Sequence, residues 1–435
     1  MQSDLRGATW KRIREPELVV VHVHCLDDSY TCAMVDYVLR GAEYIADPYP
    51  TYRAMAEEAP VWLQPETGHV YVSRYADAKS VLLDAANFSN DRVQDRLRRV
   101  PDDLPAQCLA SILHDRLVMT DGPRHRMLRA RMRDAFTAAR VRTYTPIVRD
   151  VIDDHLGRID WSKPVDFLQE IALPIPSTII LLVLGFPPAD FTQLRQWTSD
   201  FYNWLASSPD SIEVRTKRAI DATEHMRDYV ADHLRDPPAG ADGSLLGELL
   251  RDEAAGELTD DEVVANLIGI VNAAHETTTS LMVNSMILLL QHPDQLRLML
   301  SDPSLIPGAV TEVGRLESPS QVISRVAAHD LDLQGIRLRA GQLVAINLAQ
   351  ANRDPDVYPD PDRMDITRHG PAPLTFGHGE HFCAGAALAR LEAEELLSML
   401  LPRLPGARIL NEPIKWRPTP AFRCPRELMI EFSVP

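Results

Sequence analysis

A cysteine set between glycines at the start of a helix constrains this chain more than any other feature. The segment reads Phe376-Gly-His-Gly-Glu-His-Phe-Cys-Ala-Gly385, and an apolar helical pattern follows it directly. In the first turn of a helix, Cys383 would lie among unpaired backbone N–H groups and the positive end of the helix dipole, which both favour the thiolate. Gly377 and Gly379 allow a tight loop, and Gly385 lets the backbone pass close to a flat, bulky group. An anionic sulfur surrounded by amides, with one face open, is a ligand for a soft or redox-active metal.

The pattern around Cys383 leaves two further roles open, a buried structural thiol and the nucleophile of a hydrolase. A nucleophilic cysteine would need a histidine and an orienting asparagine or aspartate beside it in space. The other cysteines are scattered along the chain and are expected to be structural: Cys25, Cys32, Cys108 and Cys424. Because the five cysteines are few, odd in number and scattered, they do not indicate a disulfide framework, and we expect a reducing cytosol. No CxxC pair occurs, so the sequence does not indicate a zinc knuckle or an iron–sulfur cluster.

The formal net charge of −17 comes from 62 acidic and 45 basic residues, with no run of lysine or arginine. A nucleic-acid-binding face usually shows such a run, so we expect neither nucleic acid nor an anionic membrane surface as a partner. One apolar stretch, 267–290, carries His275 and Glu276 at its centre. Because an ionisable pair in the middle of a lone membrane span is costly, we predict a helix through the core of a cytoplasmic protein, with no membrane span.

Hydrophobic periodicity predicts one large, mostly α domain with a small β region. Residues 1–40 have no clear period, so we expect an N-terminal extension, disordered or adventitious, before a single domain at 41–435. Thr259 and Glu262 have the spacing of a capping box at the start of one long helix. Helices are predicted at 124–136, 141–157, 167–184, 189–206, 211–235, 244–252, 259–291 and 385–400. Strands are predicted at 61–63, 69–72, 322–328, 331–338 and 342–347.

Four segments together resemble one known family. Residues 376–385 match Phe-Gly-x-Gly-x-His-x-Cys-x-Gly at every fixed position, which resembles the haem-binding loop of the cytochrome P450 family. Glu312-Val-Gly-Arg315 resembles the Glu-x-x-Arg motif of that family, and Ala273-Ala-His-Glu-Thr-Thr278 resembles the acid–alcohol segment of its long central helix. Ala351-Asn-Arg-Asp-Pro355, followed by Pro359-Asp-Pro361, resembles the loop that precedes the Cys segment in bacterial members.

The resemblance implies a single P450-like domain of the bacterial, soluble, ferredoxin-dependent type, with haem b between the central helix and the helix after the Cys loop. Cys383 would be the axial thiolate ligand of the haem iron, whose electron donation favours O–O cleavage. Phe376 would shield the sulfur from water, and the small Ala273 would let the flat macrocycle approach. The haem propionates would be bound by four basic residues: His125, Arg129, Arg325 and His381.

Glu312 and Arg315 are three residues apart on a predicted helix, so they can pair. The resemblance implies that this pair is buried and is joined by a further arginine from the segment 352–375. Both Arg363 and Arg368 are candidates for the third member. We assign the three residues to folding of the haem pocket rather than to catalysis.

The acid–alcohol segment would supply the oxygen chemistry. A carboxylate next to a hydroxyl in the middle of a helix is suited to relaying protons. Glu276 would be the proton source and Thr277 the hydrogen-bond partner of dioxygen, while His275 is expected to be a satisfied core histidine. This pair favours the route that consumes dioxygen and two electrons.

The electrons would come from outside the chain. The sequence has no flavin or nicotinamide fingerprint and no iron–sulfur motif. The implied partners are a ferredoxin and a ferredoxin reductase that draw electrons from NAD(P)H, and the chain itself is expected to be a monomer.

The predicted substrate pocket is apolar, which suits a hydrophobic small organic substrate such as a compound of secondary metabolism. The resemblance places these residues in its wall: Ile270, Val322, Ile323 and Phe422. Hydroxylation or epoxidation is the expected reaction. A non-catalytic haem-thiolate binder or sensor is the alternative, although it would have little use for Glu276 and Thr277; a thiol hydrolase without haem is the third possibility.

Overall fold

Helices make up most of the part of the chain that the computed structural model describes. That part comprises residues 13–15, 18–23, 32–98, 100–101, 103–105, 107–205, 210–237, 244–254, 256–419 and 421–433. In chain order, the helices are α1 (Ala42–Ala46), α2 (Tyr49–Glu58), α3 (Tyr75–Leu83), α4 (Val93–Leu97), α5 (Gln107–His114), α6 (Gly122–Phe136), α7 (Ala138–Thr143), α8 (Thr145–Gly157), α9 (Pro174–Leu184), α10 (Phe191–Leu205), α11 (Ile212–Arg235), α12 (Leu245–Ala254), α13 (Asp260–Gln291), α14 (Pro293–Ser301), α15 (Ile306–Leu316), α16 (Leu348–Ala351) and α17 (Ala386–Leu400).

The strands are short. They are β1 (Ile13–Glu15), β2 (Leu18–Val23), β3 (Cys32–Tyr37), β4 (Val61–Leu63), β5 (Val70–Val72), β6 (Phe88–Ser89), β7 (Val165–Asp166), β8 (Val322–Ala327), β9 (Leu331–Leu333), β10 (Ile336–Leu338), β11 (Leu343–Asn347), β12 (Arg408–Ile409) and β13 (Met429–Glu431). The predicted mostly α domain with a small β region is confirmed.

Two of the predicted helices are divided, and in both cases a proline lies in the first turn of the second helix. Within the segment 141–157, α7 ends at Thr143, and α8 then begins at Thr145 with Pro146 in its first turn. The segment 167–184 starts with a π-helical turn, Phe167–Ala172, before α9 begins at Pro174. Proline fits the first turn of a helix because its missing N–H has no partner there, but it cannot continue a helix that precedes it.

The 32-residue helix α13 forms the centre of the domain. The predicted capping box is present at its start, where the Glu262 amide donates to Thr259 Oγ1 over 3.2 Å and the Thr259 amide donates to Glu262 Oε2 over 2.9 Å. Its middle and end are buried on most sides against α9, α11, α15 and α17. Both the acid–alcohol segment and the helix after the Cys loop are therefore fixed to the same core.

A mixed five-stranded sheet lies beside the helices in the order β4-β5-β11-β8-β6. Strands β11 and β5 are parallel, whereas β11 and β8 are antiparallel with Ile346 opposite Ile323. The predicted strand over 331–338 is wrong as one strand, because it turns back at Gln334 and Gly335, whose φ angles are 51° and 84°. The result is the two-stranded hairpin β9–β10.

The backbone before residue 40 contains the antiparallel sheet β1-β2-β3 in its described part. That residues 1–40 form a separate extension stays a prediction. Within the described residues, Phe167–Leu184 is the one helical segment long and apolar enough to cross a membrane by length and composition, and 72% of it is buried inside the protein. It packs against α13 and α8 as part of the core.

Candidate active site

The Cys loop holds Cys383 directly before α17. The Cys383 amide donates to the Phe376 carbonyl over 2.9 Å, which closes the loop. The Gly385 and Ala386 N–H groups donate to the sulfur, as the sequence predicted. Gly379 has φ of +77°, and a Cβ there would lie 2.7 Å from the Leu82 carbonyl oxygen, so the loop requires glycine at this position.

The Cys383 sulfur is enclosed by the protein but not covered by it. Protein surrounds it on every side, yet its side chain keeps free surface. Burial raises the pKa of this thiol, and the two amide donors, together with Arg129 and Arg390, offset only part of that effect. The amides lower the pKa of the thiol, as expected from the sequence. In the absence of a metal, burial raises this pKa by more than the amides lower it.

One face of α13 keeps free surface as well, and we call this face the α13 stripe: Gly269, Ile270, Ala273 and Thr277. Ala273 is exposed although Asn272 and His275 beside it are buried. Residues four apart lie on the same side of a helix, so the stripe forms a continuous surface of small and apolar groups. A helix buried on its other sides, with one open face lined by small residues, leaves room for a flat group.

A cluster of cationic and imidazole groups lies at one edge of the Cys loop. The rings of His125 on α6 and His381 in the loop are 4.0 Å apart. His381 Nε2 lies 3.1 Å from Asp121 Oδ1, and Arg129 Nη2 donates to the Phe382 carbonyl over 2.7 Å. The structure therefore brings together three of the four basic residues predicted from the sequence.

Arg325 on β8 is the fourth, and it joins the cluster through Asp121. Its guanidinium is buried and donates to the Ser324 carbonyl over 3.0 Å. Burial lowers the pKa of Arg325 to about 10, and the nearby Asp121 carboxylate works in the opposite direction. Burial also raises the pKa of Asp121, but hydrogen bonds from His381 and Ser89 outweigh it and hold that pKa well below its usual range.

The imidazole of His125 lacks hydrogen-bond partners among the described residues. Both ring nitrogens of His125 are buried and form no hydrogen bond with any residue that the structure describes. Burial lowers the pKa of His125 to about 4, and the neighbouring His381 adds to this shift. Buried donors are normally satisfied, so this arrangement fits a group with acidic oxygens that occupies the space beside it. Together with the open sulfur and the α13 stripe, these residues fit a haem and its propionates.

Comparison with known proteins gives the same result. The family model described as Cytochrome P450 matches residues 51–300 and 299–404. Cytochrome P450 monooxygenase PikC of Streptomyces venezuelae is 35% identical over 413 residues, which cover 92% of this chain and 94% of that protein. Cyclomarin C epoxidase CymV of Salinispora arenicola is 32% identical, over 87% of this chain and 94% of that protein. The crystal structure of CalO2 superposes with a TM-score of 0.84 at 29% identity, over 92% of this chain and 99% of that one.

The chain belongs to the cytochrome P450 family. Other relatives are named as a vitamin D(3) 25-hydroxylase and a nocardicin C N-oxygenase, so this cytochrome P450 is a monooxygenase, an oxidoreductase. Membership implies haem as cofactor, electrons from a redox partner and a small-molecule substrate. Among the described residues, no histidine makes a hydrogen bond to Cys383, and the imidazole of His381 is held by Asp121 instead. The geometry therefore gives no support to a thiol hydrolase.

The acid and alcohol of this cytochrome P450 are adjacent on α13, and each has a partner. Thr277 Oγ1 donates to the Ala273 carbonyl one turn earlier over 2.9 Å. Glu276 Oε1 lies 3.4 Å from Nη1 of Arg417, which comes from the C-terminal segment. Sequence reasoning missed Arg417, because neither its spacing nor its neighbours distinguish it. His275 is buried as expected but not satisfied, since its Nε2 has no partner among the described residues.

The Glu312–Arg315 pair is buried and resolves the choice of the third arginine. Arg315 donates twice to Glu312, over 2.8 Å in each bond. Arg368 Nε donates to Glu312 Oε1 over 3.1 Å, whereas Arg363 contributes only its backbone carbonyl to both arginines. Arg315 also donates to the Asn352 carbonyl over 2.9 Å, which ties α15 to the segment before the Cys loop.

The predicted pocket residues fall on three elements. Ile270 belongs to the α13 stripe, and Val322 and Ile323 are half-buried at the start of β8. Phe422 bridges to Ser320 near that strand, and its ring lies 5.9 Å from the ring of Tyr202 on α10. Phe422 thus lies between the start of β8 and α10.

Arg92 is a further residue of the cluster around Asp121, and sequence reasoning missed it. Its Nη2 donates to the Val118 carbonyl over 3.0 Å, and its Nη1 donates to the carbonyl of Ser324, beside Arg325. Burial lowers the pKa of Arg92 to about 9, with Arg325 as a further cause. The local sequence Asn90-Asp-Arg92 carries no period or motif, so only the fold reveals this residue and its partner Asp121 as members of the cluster.

Proposed function

We propose that this cytochrome P450 binds haem b through Cys383 and hydroxylates or epoxidises a hydrophobic small organic substrate, with electrons from NAD(P)H delivered by a ferredoxin and its reductase. We further propose that it acts as a cytoplasmic monomer. The observation that carries the proposal is the sulfur itself. It receives two amide hydrogen bonds at the start of α17 and keeps free surface although protein surrounds it.

The haem propionates would be held by the cluster around Asp121. His125, Arg129, Arg325 and His381 would contribute donors, and Arg92 would extend the cluster. Arginine suits a carboxylate because its guanidinium is planar and always charged. Phe376 would cover the sulfur side of the loop, where Arg390 stacks on its ring at 4.7 Å. Ala273 would leave space for the macrocycle on the opposite side.

Bound haem supplies the iron at which dioxygen is reduced and activated. The residues of the chain deliver protons and exclude bulk water. In the resting protein, the Thr277 hydroxyl donates to the Ala273 carbonyl and the Glu276 carboxylate pairs with Arg417. A proton would enter at Glu276 Oε1 when this carboxylate leaves Arg417, and Thr277 Oγ1 would pass it on or orient the acceptor.

We infer that the electron donor is a separate protein. Every described helix and strand belongs to the P450 domain or to the short N-terminal sheet, and none carries a flavin or nicotinamide motif. An external ferredoxin supplied by its reductase fits this arrangement. The relatives oxidise quite different molecules, as the names of the cyclomarin C epoxidase and the vitamin D(3) 25-hydroxylase show, so the substrate cannot be carried over from them.

Turnover with isotope-labelled dioxygen tests the proposal. A library of apolar compounds is first screened for ligands that shift the ferric haem to high spin. The ligands found are then incubated with NADPH, a surrogate ferredoxin and ferredoxin reductase. We expect products that gain one labelled oxygen atom and that depend on each of the three electron-transfer components. Consumption of NADPH without any oxygenated product across the whole set of ligands would contradict the proposed reaction.

A further inference from the structure

Arg116 is a buried cation outside the cluster around Asp121. It follows α5 and is 6% exposed. Its Nε and Nη2 atoms are buried and form no hydrogen bond with any residue in the described ranges. Burial lowers the pKa of Arg116 to about 10. A buried guanidinium normally has a carboxylate or several carbonyls as partners, because removing its hydration is otherwise costly.

Arg116 lies against the substrate side of α13. The position that a Cβ of Gly269 would take is 3.6 Å from two carbon atoms of the Arg116 side chain. Gly269 belongs to the α13 stripe, four residues before Ala273 and eight before Thr277. At 1.5 Å per residue, Gly269 is roughly 6 Å from Ala273 and roughly 12 Å from Thr277 along the helix axis. The part of α13 beside Arg116 is therefore about two helical turns from the acid–alcohol pair.

Aromatic side chains of α10 lie on the other side of Arg116. The Arg116 guanidinium lies 4.5 Å from the centre of the Phe201 ring. The Tyr202 phenol is enclosed, and its pKa, raised to about 12 by burial, is affected by both Arg116 and Glu276. Tyr202 in turn contacts Phe422 in the predicted pocket. Arg116 thus belongs to the same space as the residues expected to surround the substrate.

The position of Arg116 is fixed by α13 itself. The Asn266 side chain accepts a hydrogen bond from the Leu117 amide over 2.8 Å and donates to the Asp115 carbonyl over 2.9 Å. Asn266 therefore holds the backbone on both sides of Arg116. The side-chain carboxylate nearest in sequence, Asp115, pairs with Arg124 at 2.6 Å.

Arg116 is thus a pre-positioned cation without a counter-charge among the described residues. Stacking on Phe201 occupies one face of the guanidinium but satisfies none of its N–H groups. A planar ligand group with two acceptor oxygens would satisfy both Nε and Nη2 in the geometry that arginine favours.

We propose that the substrate of this enzyme carries a carboxylate, and that Arg116 binds it at the end of the pocket beside Gly269. The inference rests on the proposed function and adds the substrate class to it. It also implies that oxidation takes place at the end of the substrate remote from the carboxylate, because Gly269, which Arg116 contacts, is about two helical turns from Thr277.

Matched ligands test this assignment on the holoenzyme. Hexanoic, octanoic, decanoic and dodecanoic acids are each compared with their primary amides, which have nearly the same shape but no charge at neutral pH. Dissociation constants are measured by calorimetry and by the spin shift of the ferric haem. We expect at least one acid to bind about ten- to hundredfold more tightly than its amide, since a hydrogen bond to a charged group contributes about 1.5–3 kcal/mol.

Two variants separate the charge of Arg116 from its packing. Arg116→Gln should bind acid and amide with equal affinity, whereas Arg116→Lys should keep most of the preference for the acid. Arg337→Gln, at a surface position whose side chain is 72% exposed, should leave the preference unchanged. An enzyme that binds every acid no better than its amide, or a preference that persists in Arg116→Gln, would overturn the proposal.

The outcome for Arg116 is separable from that for the proposed function. The thiolate-type spectrum of the reduced carbon monoxide complex reports on Cys383 and the haem. A native protein with this spectrum but without any preference for acids would overturn the substrate class alone. Loss of the spectrum in native protein would contradict the haem-thiolate proposal, whatever the ligand affinities are.

Discussion

At the scale of single residues, the environment of Cys383 combines a local effect with one that depends on the fold. The amides of Gly385 and Ala386 reach the sulfur because they follow it in the first turn of α17. This arrangement depends on neighbouring residues only, and it was predictable from the sequence. The burial that raises the pKa of the thiol comes from elements distant in the chain, and no local pattern contains it. A bound cation would reverse this balance, since metals bind the deprotonated thiolate.

Thr277→Ala is the residue-scale test of the proton relay. The variant loses the hydroxyl that donates to the Ala273 carbonyl, together with the γ-methyl group of Thr277. We expect the product formed per NADPH to fall at least about tenfold and hydrogen peroxide to rise, since a positioned proton donor typically contributes more than that factor. Product, peroxide and NADPH are quantified in the same reactions.

Thr278→Ala is the matched control for this variant. Thr278 is the next residue on α13 but is 5% exposed and packs in the core. It should change stability while leaving coupling intact. Equal coupling in native enzyme and Thr277→Ala would remove Thr277 from the relay.

The arginine network offers a second test with a matched pair. Arg368 donates to Glu312 through its side chain, whereas Arg363 takes part only through its carbonyl. Arg368→Ala should lower the free energy of unfolding by about 1.5–3 kcal/mol, because a buried carboxylate loses a charge-assisted hydrogen bond. Arg363→Ala should have a much smaller effect. Denaturant unfolding monitored by circular dichroism and by haem absorbance gives both values, and equal losses would contradict the assignment.

At the scale of elements, α13 shows which features a sequence predicts. Its start was predictable because Thr259 and Glu262 are three residues apart and satisfy each other. The divisions before α8 and α9 were not predicted, although the prolines that cause them are visible in the sequence. Hydrophobic periodicity could not predict the open face at Ala273, because that face is open only where no other element of the fold packs against α13. The resemblance to a family pointed to it instead.

Burial of His275 on α13 is expected to lower the free energy of unfolding at acidic pH. It is 4% exposed, and burial lowers its pKa. Below about pH 6.5 the unfolded chain takes up a proton at this histidine while the folded chain does not, so the free energy of unfolding falls as the pH falls. Above that pH the histidine is neutral in both states and contributes no pH dependence.

His275→Leu should therefore flatten this part of the pH profile. Unfolding of the holoenzyme in denaturant is compared at about pH 7.5 and about pH 5. His329→Gln, at an exposed position, is the control and should retain the native profile. A native slope in His275→Leu would show that other groups cause the acid sensitivity.

At the scale of the whole molecule, the fold assembles what the sequence keeps apart. His125, Arg325 and His381 come from a helix, a strand and a loop, and Asp121 links two of them. The resemblance predicted the basic members of this cluster, because their motifs are recognisable. Asp121 and Arg92 escaped prediction, since their part in the cluster depends on tertiary contacts alone.

Removal of haem tests whether this cluster depends on a bound anion. The protein without haem would keep both ring nitrogens of His125 buried and without hydrogen-bond partners among the described residues. We expect its thermal midpoint to lie well below that of the holoenzyme, because haem at a thousandfold excess over its dissociation constant stabilises the folded state by about 4 kcal/mol. Calorimetry of both forms gives the difference, and identical midpoints would mean that haem does not stabilise the folded protein.

The carbon monoxide spectrum of reduced protein tests the central claim, ligation through Cys383, most directly. Native protein and Cys108→Ser, a control at a half-buried position on α5, should both bind haem and give the red-shifted Soret band of a thiolate complex. Cys383→Ser should lose that band and the monooxygenase activity with it. A thiolate-type band of native intensity in Cys383→Ser would contradict the account.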